Sequence, residues 1–533
     1  MKKFLILLVF VFSQVLILGQ GNEKQNPNVE LPDFVITGKD VISLQKANKL
    51  EPGFISTISE EFIRPVYSPE DLPVKDFSNP ITQQTSLTDS QKVYNSRLKV
   101  VSGLYTSPAG RFSFTQPFSS NVLLDAEISG ENHRAYVDNS GWSNLNGGLN
   151  LAFFMPNNTS LHGTQFKLHG DYGLTWYRFF ASDNPAQPRN FYQGNFSASV
   201  NNLVSRQFNF ELNAADKYSS LSTENFKEHL LLLKGFLSAN FSYLKLAGNI
   251  NYTKQFITNN ITFNFFSVRP YAEFNLQTFF KLAAGLSYSN SGSRNFLEPY
   301  ASAAFKLNDF VSVFAEYNPS AEFFSAGEFL RQNRYFNPQN FINANAFVRK
   351  KSAFDAVLKY EYYKYFEIDA GVKYFRADDF PYFTNSLQKG RFDISLTSAK
   401  NYSAFVNLLF HQGPHGVFYG TAEYNDTKDF AGNVLPYSPK LKATMSYGYR
   451  FDFGLYVEPK MYFSSVTFSD INNTDTLKIA PYFNLGIKFT YSLIKNFSLT
   501  AELSNFKNRI NYFKWFRYDQ EQIDFVAGFT YKW

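Results

Sequence analysis

The chain has 533 residues and a formal charge of only +6, from 51 basic and 45 acidic side chains spread along its length. That diffuse balance offers no basic block for nucleic acid, and the absence of cysteine removes disulfides, thiolate metal sites and cysteine nucleophiles. Charged residues make up 18% and aromatic residues 19%, 61 Phe and 34 Tyr among them, which favours strands because aromatic side chains suit a pleated surface.

Residues 1–21 read as an export signal. Lys2 and Lys3 precede an apolar run from Phe4 to Leu18, broken only by Ser13 and Gln14, and the small residues Gly19 and Gly21 follow. The run is shorter than the roughly 20 apolar residues a spanning helix needs, and no later run is longer, so a helical membrane protein is excluded. Residues 22–96 read as a leader. They carry Pro27, Pro32, Pro52, Pro65, Pro69, Pro73 and Pro80 and little apolar periodicity, so no packed core is expected there. Within them "LPDFVITG", Leu31 to Gly38, stands out: Phe34, Val35, Ile36 and Thr37 form a strand-like, β-branched core between Pro32 and Gly38.

From residue 97 to 533 the pattern is alternation. In "YFEIDAGVKYF" Phe366, Ile368, Ala370, Val372 and Tyr374 share one face, and Glu367, Asp369, Gly371 and Lys373 the other. "FNLGIKFTYSL" repeats this with Phe483, Leu485, Ile487, Phe489, Tyr491 and Leu493 against Asn484, Gly486, Lys488, Thr490 and Ser492. Short links near 240, 278, 308, 364, 451 and 494 alternate with long ones at 177–190, 319–340, 375–390, 426–436, 464–478 and 506–521. The tally is 22 strands with the long links on one side, the mark of an outer-membrane β-barrel of the Gram-negative type, with short periplasmic turns and long external loops. Closure follows from physics as well: backbone groups crossing hydrocarbon must all be paired, and only a closed sheet has no edge. The expected fold is therefore an all-β, antiparallel up-and-down transmembrane barrel over residues 97–533. Pro270 and Pro459 each delete a ladder donor where no edge exists, so bulges are expected there.

The last strand alternates Ile523, Phe525, Ala527, Phe529, Tyr531 and Trp533, and stops on the aromatic. It is similar to the C-terminal signal read by the bacterial outer-membrane assembly machinery. Two external loops interleave aromatic and basic residues: Phe329, Arg331, Arg334, Tyr335 and Phe336 in one, Tyr512, Phe513, Trp515, Phe516 and Arg517 in the other. Stacking faces beside fixed donors suit sugars, aromatic or anionic ligands, a partner surface, or simply loops packed on one another. No serine–histidine–aspartate set, phosphate loop or zincin pattern is present. The six histidines include one close pair, in "HQGPHG", without supporting carboxylates, so no enzyme activity, catalytic residue, metal or cofactor is expected.

"LPYSPKLKATMSYGYRF" (435–451) and "NFSLTAELSNFKNRINYFKWFRYDQEQIDFVAGFTYKW" (496–533) resemble the closing part of TonB-dependent receptor barrels, which also have 22 strands. By that resemblance Leu31, Asp33, Phe34, Val35, Ile36, Thr37 and Gly38 would be a TonB box, a strand offered to an inner-membrane energy-coupling protein for strand addition. The family's plug domain exceeds a hundred residues, and residues 39–96 are too few and too proline-rich to form it. A lumen this wide is kept plugged in natural transporters, so inward-folded loops, the leader, or a plug-like or lipoprotein partner must close it. The resemblance implies uptake across the outer membrane, or the barrel half of a two-protein envelope complex; a scaffolding barrel or a passive porin-like channel are the alternatives.

Overall fold

The computed structural model describes residues 95–533, apart from 157–158, 160–161, 204–206, 259–260, 277–278, 293, 342–346, 363–365, 412–415, 507–512 and 522. The expected export signal, the expected leader up to residue 94, the Leu31–Gly38 segment and Tyr512 lie outside the described residues, and the last leader position, Ser96, is already the start of the first strand.

Every neighbouring pair of barrel strands is antiparallel. The first, Ser96–Gly103, pairs with the last, Asp524–Lys532, from Arg97 opposite Lys532 to Gly103 opposite Val526, so the sheet has no edge. Of its 23 strand segments, Val311–Tyr317 and Ser320–Phe323 both pair with Phe347–Tyr362 and form one broken strand, which makes a closed barrel of 22. The expected count and closure are met.

The faces are inside-out relative to a soluble sandwich. Outward residues such as Leu233 and Val372 are about half exposed (51% and 52%), as suits an acyl-chain belt, while Arg189, Glu228 and Glu316 on the inner wall are almost fully buried. Phe366 to Tyr374 lie on one face of Phe366–Asn385, opposite Glu367, Asp369 and Lys373 on the other. Lys359 bridges Glu361 and Glu367 on that wet side, at 3.6 and 2.9 Å. This strand and its partner Phe392–His411 run 20 residues each, about twice what the hydrocarbon needs. Much of the link expected at 375–390 is therefore strand, and the loop is only 386–391.

Two expectations need correction. Neither Pro270 nor Pro459 sits in a bulge. Pro270 stays in register opposite Gly248, and Pro459 opposite Ile487; on the other flank the ladder omits two pairs and resumes unshifted. Dropping a bond is less disruptive than re-registering a strand in a closed sheet, because a one-residue slip would turn every side chain to the wrong face. Nor are all long-side links long: strands meet through 104–105, 222–225, 258–260 and 292–293.

One place departs from the simple wall. Beyond Tyr317 the broken strand leaves Arg294–Lys306, pairing with it only from Ser312 to Tyr317. Its outer piece, Ser320–Phe323, pairs solely with Phe347–Lys350, and a register shift between Lys350 and Ser352 lets this hairpin turn. Phe347 and Ala321 pack on Phe265, with Phe296 and Phe323 against them, and Arg349 reaches Glu298 at 2.6 Å. The hairpin so folded inward carries residues 324–341.

Candidate functional site at the outer mouth

The loop on this hairpin opens with a short helix, α1 (Ala326–Gln332). Ser325 caps it through a reciprocal capping box with Glu328, both bonds at 3.2 Å. Its first amides are held by a strand about a quarter of the way round the wall: the Glu228 carboxylate, on Phe226–Phe241, accepts from Ala326 N (3.0 Å) and Gly327 N (2.7 Å) and also from Gln255. Glycine at 327 leaves room for this contact, since a Cβ there would overlap Ser219 Oγ and Glu228 Oε2 and push these side chains aside.

After α1 the chain threads an ionic and aromatic clasp. Arg189, fully buried on the sixth strand (Pro188–Asn202), donates to the carbonyls of Arg334 (2.9 Å) and Phe336 (2.8 Å) and forks onto Glu224 at 2.5 Å to each oxygen. Glu224 also receives Arg391 at 2.7 Å, from the last residue of the 386–391 loop, just before the sixteenth strand (Phe392–His411). Both guanidinium groups lie over the Phe179 ring, at 4.5 and 4.4 Å. The sixth and sixteenth strands are nearly opposite in a 22-strand wall, which would be roughly 45 Å across if circular. These contacts therefore cross the mouth. Asn337 N donates to Phe392 O at 2.7 Å, and Phe392 N to Tyr335 O at 3.2 Å.

Aromatic packing completes the closure. Tyr335 stacks on Tyr518, from the other aromatic loop, at 3.6 Å between centroids and 14°. Phe329 touches Phe336, Phe341 and Phe383 at 5.3–5.9 Å, and Trp515 bridges Phe383, Phe392 and Tyr437. Tyr518 donates to Gly390 O at 2.6 Å, and Tyr136 to Asp519 O at 2.6 Å. Gly390 has φ +77° and lies so close to Ser182 that a Cβ would come within 2.8 Å of its nitrogen. Burial pushes the Tyr136, Tyr437 and Tyr518 phenols above the ordinary tyrosine range, so this clasp stays uncharged at its tyrosines.

Of the residues singled out from sequence, Tyr335 and Phe336 are buried in this cap, and the Arg334 guanidinium lies 5.3–5.6 Å from the rings of Trp142, Tyr177 and Tyr335. Trp515 and Phe516 pack against the cluster half-buried, whereas Arg331 and Arg517 are exposed. The Phe513 side chain is outside the described set. The two aromatic loops thus meet each other. Sequence reasoning missed Arg189, Glu224, Glu228, Gly327 and Arg391. One legible signal was "EHLLLL": Leu231 and Leu233 face outward while Leu230 is 2% exposed on the inner side, and a strand apolar on both faces is a strand covered on both faces. Among the described residues no group of three or more His, Cys, Asp or Glu could hold a metal.

No family model and no curated protein matches the chain. Among solved structures it is similar to the FrpB iron transporter from Neisseria meningitidis in its F5-1 apoprotein form, at 10% identity and TM-score 0.66, with 84% of this chain and 82% of that one covered. It is also similar to the siderophore receptor PiuA from Acinetobacter baumannii (12%, TM-score 0.62, 83% and 82%). A third is a mutant of the ferric enterobactin receptor PfeA from Pseudomonas aeruginosa (10%, TM-score 0.63, 82% and 80%). At such identities the likeness is one of fold: a TonB-dependent-receptor-like outer-membrane barrel.

Proposed function

We propose that the chain is the barrel of a gated outer-membrane uptake system, with residues 324–341 as its outer gate. The observation that carries this is the clasp of Arg189, Glu224 and Arg391 across the mouth, which a passive porin-like channel would not need. Opening is driven from the periplasmic side, through Leu31–Gly38 added as a strand to an energy-coupling protein, and a plug-like or lipoprotein partner completes the lumen. Assembly proceeds through recognition of the last strand, ending at Trp533. Arg331 and Arg517, exposed basic residues among the described parts of the two loops, are the first contacts for an anionic ligand, joined by Tyr512, Phe513, Trp515 and Phe516, which precede Arg517 in sequence. Arg334, Tyr335 and Phe336 hold the gate.

The test is uptake in cells expressing the full chain, the chain lacking residues 31–38, and Glu224→Ala. Loss of uptake on deleting the segment, at unchanged outer-membrane abundance, supports the reading. Growth and ligand accumulation unaffected by the deletion would end it in favour of a scaffolding barrel. That second reading draws on the burial of Tyr335 and Phe336, which withdraws them from any ligand.

A further inference from the structure

On the outward face of four adjacent strands, two cross-strand rows lie one above the other where the apolar belt ends. The lower row is Phe354 opposite Tyr374, Tyr374 opposite Tyr402, and Tyr402 opposite Asp426. Phe354 and Tyr402 are exposed, with the Tyr374 and Tyr402 rings 4.8 Å apart. The next row outward is Ser352, Arg376, Lys400 and Lys428, again in direct register. The outward direction is fixed by the pleat: Val372, two residues below Tyr374, is exposed to the belt side, while Phe375, Ala377, Ala399 and Asn401 between them are buried on the inner side.

Three cations directly opposite one another on neighbouring strands repel, and such pairs are normally avoided. The carboxylates nearby do not answer them all. Asp426 takes Lys428 at 2.7 Å and Lys440 at 3.3 Å, and Asp378 takes Lys351. Among the described residues no carboxylate is paired with Arg376, whose guanidinium lies 4.5 Å over the Phe430 ring, or with Lys400. Four cations, Arg376, Lys400, Lys428 and Lys440, thus share one acid.

We infer that this face binds the phosphate-bearing head group of an acylated lipid in the outer leaflet. The rows are two residues apart, about 7 Å along the strand, which sets phosphate oxygens against the cations while the acyl chains descend past the aromatic row onto the belt. Aromatic side chains at the membrane–water boundary mark that depth. The three in-register cations span about 10 Å across adjacent strands, the reach of one multiply charged head group, and the guanidinium of Arg376 offers the planar fork suited to phosphate.

The full chain, purified in non-ionic detergent, is tested by native mass spectrometry with dioleoyl phosphatidic acid and dioleoyl phosphatidylcholine as probes and inorganic phosphate as competitor. Each cation near a charged head group is worth about fivefold, so Arg376→Gln/Lys400→Gln/Lys428→Gln should lose on the order of 100-fold in phosphatidic acid affinity. Phosphatidylcholine binding should be unchanged, and Lys389→Gln, at a distant loop tip, should behave as the parent. Should the triple variant fail the heat-modifiability test of folding, Lys400→Gln alone should still lose about fivefold. Undiminished phosphatidic acid binding by the folded variants, or equal retention of the two lipids by the parent, overturns the inference. Complete displacement by inorganic phosphate also overturns it, assigning the face to a soluble anion.

Discussion

Glu224→Ala isolates the ionic part of the clasp. The carboxylate is 9% exposed and takes two guanidinium groups, Arg189 at 0% and Arg391 at 13%. Removing one partner of a buried charge pair leaves an uncompensated charge and costs about 3–5 kcal/mol. Arg189 keeps its two carbonyl acceptors and Arg391 has some access to water, so the lower figure applies, about 3 kcal/mol. If that energy holds the cap against the wall, the open fraction rises on the order of 100-fold. The chain contains no cysteine, so one introduced thiol reports without background. Ala326 is 0% exposed at the start of α1, and Ala326→Cys should react with a maleimide only when the cap lifts. The expected result is labelling about 100-fold faster when Glu224→Ala is added, with heat-modifiable gel migration unchanged and with exposed Glu361→Ala as an inert control. A rate within threefold of the parent would refute the reasoning, because the clasp would then not limit opening.

Gly327→Ala should lift the same cap by a different route, since its methyl overlaps Ser219 and Glu228. Overpacking of about 1–3 kcal/mol predicts faster Ala326→Cys labelling, and unchanged protection would contradict it. Ala370→Arg places a charge mid-way along the outward Phe366–Tyr374 run and should cost about 2–4 kcal/mol, read as loss of folded barrel in urea titration from liposomes. Asp369→Asn, on the wet face beside it, should leave that titration within error of the parent.

What was legible in the sequence is what a period of two can carry. Phe366 to Tyr374 and Leu485 to Leu493 announce their outer face because each faces lipid whatever its neighbours are, and the turns expected near 240, 308 and 494 follow from where alternation breaks. The cap was not legible as a cap. Arg334, Tyr335 and Phe336 look identical in sequence whether they wait for a ligand or fill a mouth, and only the position of Arg189, some 145 residues earlier in the chain, decides between these. Glu224 and Arg391 are likewise brought together by barrel circumference, 167 residues apart, which no local pattern encodes. The prolines misled because Pro270 and Pro459 were judged one strand at a time, whereas a closed sheet keeps register all round and drops a bond instead.

The inward hairpin divides the gate into two tiers with different costs of movement. The distal tier is the clasp and aromatic cluster on residues 324–341. The proximal tier is the root, where Phe347 is 1% exposed against Phe265 and Phe296, Arg349 meets Glu298, and four ladder pairs join Ser320–Phe323 to Phe347–Lys350. Swinging the whole arm about Asn318–Pro319 would forfeit the root as well as the clasp, whereas peeling the loop beyond Phe323 forfeits the clasp alone. Peeling therefore lies lower. Phe347→Ala, a core truncation worth about 3–5 kcal/mol, should then lower the temperature at which the barrel loses heat-resistant migration while leaving Ala326→Cys labelling within about threefold of the parent, since its cost, felt equally in the closed and peeled states, cancels between them. Should Phe347→Ala instead accelerate labelling as strongly as Glu224→Ala does, the root moves with the cap, and the gate is a swinging arm rather than a peeling loop.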